Sequence, residues 1–140
     1  TMSDTSGTVT LTASKKAIVF VNYSLLVNSQ IVVSNTNDAG LVIAVNGNIT
    51  VADTVNQLDG LYIFSGQFNS NSGATLTNQL TGNGSLIGTG TGPIVFSRTF
   101  GTTTPTANPA ESWTYQPKYL WLFRDILVTP SYSWKELPPQ

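Results

Sequence analysis

Asp53 and Asp59, with Asp38 a little upstream, are the nearest thing to a carboxylate cluster in this chain. Two facing carboxylates would serve glycoside hydrolysis, and several carboxylates with backbone carbonyls would hold a structural calcium ion. Neither chemistry is well supplied. The seven acidic residues, Asp4, Asp38, Asp53, Asp59, Glu111, Asp125 and Glu136, are dispersed along the chain, and His and Cys are absent altogether. That removes the usual serine and cysteine triads, thiolate chemistry, disulfides and most zinc sites. The first reading of the three aspartates is as turn residues that hydrogen-bond their own backbone near recurring joints, with calcium as the alternative. No catalytic residue, cofactor or metal is expected, and the chain is read as a non-enzyme.

Other motifs are equally sparing. Gly82 to Gly92, "GNGSLIGTGTG", contains G-x-G spacings, but no helix start follows to offer its dipole to a phosphate. Tight corners account for these glycines. Three glycosylation sequons, at Asn22, Asn48 and Asn83, are expected by chance in a chain so rich in Asn, Ser and Thr. The residues best suited to binding are aromatic: Trp113, Tyr115, Tyr119, Trp121, Phe123, Tyr132 and Trp134 all fall in the last third. Such rings either cover a core or anchor a subunit or ligand interface.

The elements that would carry these residues show in a repeated phrase. Ala17 to Leu25, Gly40 to Ile49, Gly60 to Phe68 and Gly84 to Gly90 each pass from a small residue through β-branched or aromatic positions. Each then meets Asn, Ser or Gly before the next apolar step. The openings are 23, 20 and 24 residues apart. Repetition at this period predicts an all-β fold, a right-handed β-helix-like solenoid of about four coils, with a β-sandwich as the alternative. The second strand of each coil would hold Leu25 with Val27, Ile49 with Val51, then Phe68. A third would hold Ile31 with Val33, Val55 with Leu58, then Leu76 with Leu80. Laid in step, the phrases align Val19, Val42, Tyr62 and Leu86 in one column and Phe20, Ile43, Ile63 and Ile87 in another. Alternation lets only one set face inward, and Ile18, Phe20, Leu41, Ile43, Leu61 and Ile63 are the expected inward residues.

The 140 residues fit one domain. Residues 1–100 are read as coils plus an N-terminal strand within "GTVTLTA", the first coil or a covering strand. Residues 101–140 are read as a Pro- and aromatic-rich tail that packs on the coils or on a neighbouring subunit. Within it, Tyr119 to Val128 is expected to form a short helix or strand between Pro117 and Pro130. The net charge of −1 excludes a nucleic-acid footprint. The most apolar N-terminal stretch, Ala17 to Val27, is too short for a bilayer-spanning helix, so no membrane insertion is expected. Thr1 and Met2 look like a trimmed end, from which an exported precursor would have lost its address.

The ending "NPAESWTYQPKYLW", followed by "PSYSWKELPP", is similar to that of β-helical, bactofilin-like domains in exported or surface proteins of candidate-phyla-radiation bacteria (Patescibacteria). The matching residues are Arg98, Asn108, Pro109, Ala110, Glu111, Tyr115, Pro117, Tyr119, Ser133, Trp134, Lys135 and Glu136. "LDGLYIFSGQFNSNSG", from Leu58 to Gly73, resembles the family's middle coils. "SRTF" departs from its acidic-containing Arg step. The resemblance implies a structural role at the cell surface or outside the cell and no catalytic residue. The expected function is a self-associating building block of a filament or surface layer. The alternative is an adhesin-like module that binds glycan or a surface protein through the C-terminal aromatics.

Overall fold

The computed structural model describes residues 7–71, 79–99 and 109–127, in which the chain is predominantly β-structure with two short helices. The strands are β1 (Thr8–Leu11), β2 (Lys16–Val21), β3 (Leu25–Val27), β4 (Gln30–Val33), β5 (Gly40–Val45), β6 (Ile49–Val51), β7 (Gln57–Phe64), β8 (Phe68–Asn69), β9 (Leu80–Gly88), β10 (Ile94–Val95) and β11 (Glu111–Tyr115). Helices α1 (Lys118–Leu122) and α2 (Arg124–Leu127) follow.

Every strand pairing among the described residues is parallel. Three ladders result. One runs through β1, β4, the first half of β7, the first half of β9 and β11. A second runs through β2, β5 and the second halves of β7 and β9. The third, β3, β6, β8 and β10, is a separate four-stranded sheet. The chain visits the three in the same order each time. Leu25, Ile49 and Phe68 fall in one register column, as the spacing led one to expect, and Ile31 pairs with Leu58. Val9 pairs with Ile31, which makes "GTVTLTA" the first rung of its ladder. Leu76 lies outside the described residues.

Two parts of the sequence reading are corrected. In the second ladder the columns are Val19, Ile43, Tyr62, Leu86 and Phe20, Ala44, Ile63, Ile87, because the register offsets are 24, 19 and 24 residues. Gly40-Leu41-Val42-Ile43 and Gly60-Leu61-Tyr62-Ile63 look alike, yet they pair one residue out of step, Val42 against Leu61. The inward set changes accordingly. Phe20 is 79% exposed and Ile63 only half-buried, whereas Val45 and Phe64 in the neighbouring column are buried. With period-two alternation, Phe64 reaches the buried Phe68 across the interior and Ile63 must point away. Of the other expected inward residues, Leu41 and Ile43 share the parity of Val45 and are buried, whereas Ile18 and Leu61 share that of Phe20 and Ile63 and lie on the outer face, Leu61 nonetheless buried there.

Burial on the strands shows what covers them. β6 alternates buried and half-buried positions, as does β4, so each uses one face. β5 and β7 are buried at nearly every position because α1 packs against both. Pro117 enters the helix with φ −62°, which suits a helix start. Lys118 Nζ then donates to the carbonyls of Ser34 (2.9 Å) and Thr36 (3.3 Å), while Leu122 and Phe123 lie over Gly40. The expected segment between the prolines is therefore helical over its described part.

The corners are held by stacked polar side chains. Asn48 N–H donates to Ser24 Oγ (3.1 Å), and Gln67 N–H donates to Asn48 Oδ1 (2.8 Å). This is the physical content of the Asn, Ser and Gly that close each repeated phrase: short side chains satisfy backbone groups where a strand ends.

Candidate functional site

Asp59 is buried and accepts hydrogen bonds from Val33 N–H (2.9 Å), Gln57 Nε2 (3.0 Å) and Asn83 Nδ2 (2.9 Å). Its partners lie on successive strands of one ladder, so it braces the stack rather than its own turn. Asp38 is bound by Ser14 Oγ (2.5 Å), and this bond, followed by one from Thr36, holds its carboxyl down at about 2. Glu111 Oε1 accepts from Ser70 Oγ and from Arg98 N–H, both at 2.6 Å. Among the described residues no group of three such side chains could hold a metal. The expectation of purely local turn bonding was too narrow for Asp38 and Asp59, because stacking brings groups 24 residues away into reach.

Arg98, whose N–H meets Glu111, is a buried cation, 4% exposed. Its Nε donates to Ser70 O (2.8 Å) and its Nη2 to Ala52 O (3.1 Å), clasping two successive rungs. Burial lowers its pKa, opposed by the nearby charges of Glu111 and Asp53. Arg98→Met is expected to cost about 1–3 kcal/mol, since it strips the carbonyl of the fully buried Ser70 of its side-chain donor, while Ala52 O keeps the Val55 N–H (3.1 Å). Urea denaturation measures this, and an unchanged midpoint would show the clasp to be idle.

The aromatic tail divides into two groups. Tyr119 and Phe123 are 1% and 4% exposed and belong to the core that α1 closes. Burial raises the Tyr119 phenol well above its usual range, and the charge of Asp59 adds to this. Trp113 lies over Gly82 and meets Phe68 edge-on at 6.1 Å, at one end of an aromatic group with Phe64 and Phe96. Its Nε1 is buried without a partner among the described residues. By contrast, Tyr115 at the end of β11 is 58% exposed, and Trp121 is 69% exposed with the Arg124 guanidinium 4.4 Å from its ring centre. Tyr132 and Trp134 lie outside the described residues.

Sequence reasoning missed a second set of exposed apolar residues on the first rungs: Phe20, Tyr23 (79%) and Leu26 (59%). Phe20 opens an outer groove of about 380 Å³ on the second ladder, lined by Phe20, Ala44 and Ile63 and by Asn22, Asn46, Ser65 and Thr89. The signal was present in the two-residue spacing of Phe20 and Asn22, Ala44 and Asn46, Ile63 and Ser65, which places each pair on one face. No family model matches the chain, nor does any curated protein or solved structure. The geometry alone therefore carries the functional reading. Among the described residues no helix is long and apolar enough to cross a membrane.

Proposed function

We propose that the chain is a structural protein, a right-handed three-sided β-solenoid that associates with copies of itself at the cell surface or outside the cell. The uninterrupted parallel pairing supports the solenoid over a β-sandwich, whose sheets are built from antiparallel strands. Right-handedness follows from the strong bias of parallel crossovers. The resemblance to β-helical, bactofilin-like surface domains belongs to the same proposal.

One observation carries the self-association. β2 and β3 are each the last strand of their ladder among the described residues, so this end of the stack offers backbone groups for pairing. The same end bears Tyr23 and Leu26, apolar and exposed. An open edge with apolar side chains is a template for another strand.

Sedimentation velocity over a wide concentration range tests this, with negative-stain electron microscopy of the concentrated protein. Reversible growth in size is expected for the wild type. The double variant Tyr23→Lys, Leu26→Lys is expected to remain monomeric with its thermal unfolding unchanged, because lysines on an edge oppose pairing. A wild type that stays monomeric at every concentration would overturn the reading. The adhesin-like alternative retains Trp121 and Tyr115, which are exposed, and loses Tyr119 and Phe123, which are not.

A further inference from the structure

We propose that the outer groove of the second ladder binds an extended, neutral polysaccharide. Two rows of side chains run side by side along this face. Phe20, Ala44, Ile63 and Ile87 form an apolar row, in register strand by strand. Two residues further on, one position past the end of each strand, stand Asn22, Asn46, Ser65 and Thr89, all exposed. Successive members of each row are separated by the strand spacing, about 4.8 Å, so four rungs present about 14 Å of repeating surface.

The hydrogen-bond inventory of the polar row is only partly spent. Asn46 Nδ2 donates to Asn22 Oδ1 (3.3 Å), and Ser65 Oγ donates to Asn46 Oδ1 (3.1 Å). Thr89 Oγ1 donates to Phe64 O (3.1 Å). These bonds fix the side chains while leaving the Asn22 amide hydrogens, the second Asn46 amide hydrogen and hydroxyl lone pairs of Ser65 and Thr89 for a ligand. Preorganised donors and acceptors of this kind bind with little loss of side-chain freedom.

The pairing of rows selects the ligand class. No lining residue is charged, so a polyanion finds no counter-charge and a polycation no carboxylate. An apolar peptide laid along Phe20 and Ile63 would cover the amides of the neighbouring row without satisfying them, which is costly. A pyranose chain offers both surfaces at once: C–H faces for the ring of Phe20 and the branched Ile63, and equatorial hydroxyls for the amides and hydroxyls. Because both rows are straight, an extended chain fits better than a coiled one. The groove lies within a single copy, so this inference does not rest on self-association.

The test is an NMR titration of the 15N-labelled full chain with cellohexaose, and in parallel with hexagalacturonate as an anionic chain of equal length. Amide shifts are expected to concentrate at Asn22, Ala44, Asn46, Ile63 and Ser65 with cellohexaose only. Phe20→Ala, at a position 79% exposed, is expected to keep the fold and weaken binding about tenfold, the size of one lost ring contact. Absence of shifts with cellohexaose, equal response to hexagalacturonate, or shifts confined to Tyr115 and Trp121 would each overturn the proposal. So would groove shifts that depend on protein concentration without sugar, since a second copy would then occupy the face.

Discussion

Phe68→Ala is expected to lower the stability of the chain by about 3–5 kcal/mol, the cost of emptying a fully buried phenylalanine site. Phe68 is fully buried, and its ring centre lies 6.0 Å from that of Phe64, 6.2 Å from Phe96 and 6.1 Å from Trp113. Its strand carries it between Ile49 and Ile94, so no neighbour can slide along the column to fill the space without breaking register. Domains of this kind are stable by about 5–15 kcal/mol in total, and the variant would stand close to the unfolding threshold. Equilibrium urea denaturation provides the number. Phe20→Ala removes the same atoms from a site 79% exposed and should stay within about 0.5 kcal/mol of the wild type. Equal losses at the two positions would mean that the inner and outer faces have been interchanged.

A single methyl group should be nearly as damaging at Gly84. Gly60 and Gly84 are partners in the register between β7 and β9, with φ values of +129° and +157°. A side chain at Gly84 meets the carbonyl of Gly60, which is backbone and cannot rotate out of the way. Gly84→Ala therefore combines a disfavoured φ, about 1–2 kcal/mol, with overpacking of about 1–3 kcal/mol. The expected loss is about 2–5 kcal/mol, read as a fall in the thermal midpoint. Gly88→Ala is the internal control: its methyl would lie 3.4 Å from the Phe64 ring, an ordinary contact. That variant should be neutral or gain up to about 1 kcal/mol from a stiffer unfolded chain. Similar midpoints for the two variants would refute the close approach at Gly84.

The all-β character, the recurrence of three strand segments and the exclusion of histidine and cysteine chemistry were legible from residue types alone. These depend on composition and on apolar residues recurring at one period, which survive small errors of alignment. The column Leu25, Ile49, Phe68 was readable because a polar corner of three residues, Asn22 to Ser24, Asn46 to Asn48 and Ser65 to Gln67, precedes it in each repeat. The choice of inner face was not readable, because Ile18 to Val21 and Leu41 to Val45 are apolar on both parities. A one-residue change of register exchanges the two faces without changing the apparent quality of the match.

Residue identity thus determined that this chain forms strands joined by tight polar corners, and that it brings no imidazole or thiol to any site. Tertiary packing decided the rest. Whether Phe20 or Val21 points inward, whether Tyr119 or Trp121 is covered, and which carboxylates meet a partner all depend on the offset between strands and on where α1 settles. Those are distances between residues far apart in the chain, and strings of Val, Ile and Asn fit more than one of them.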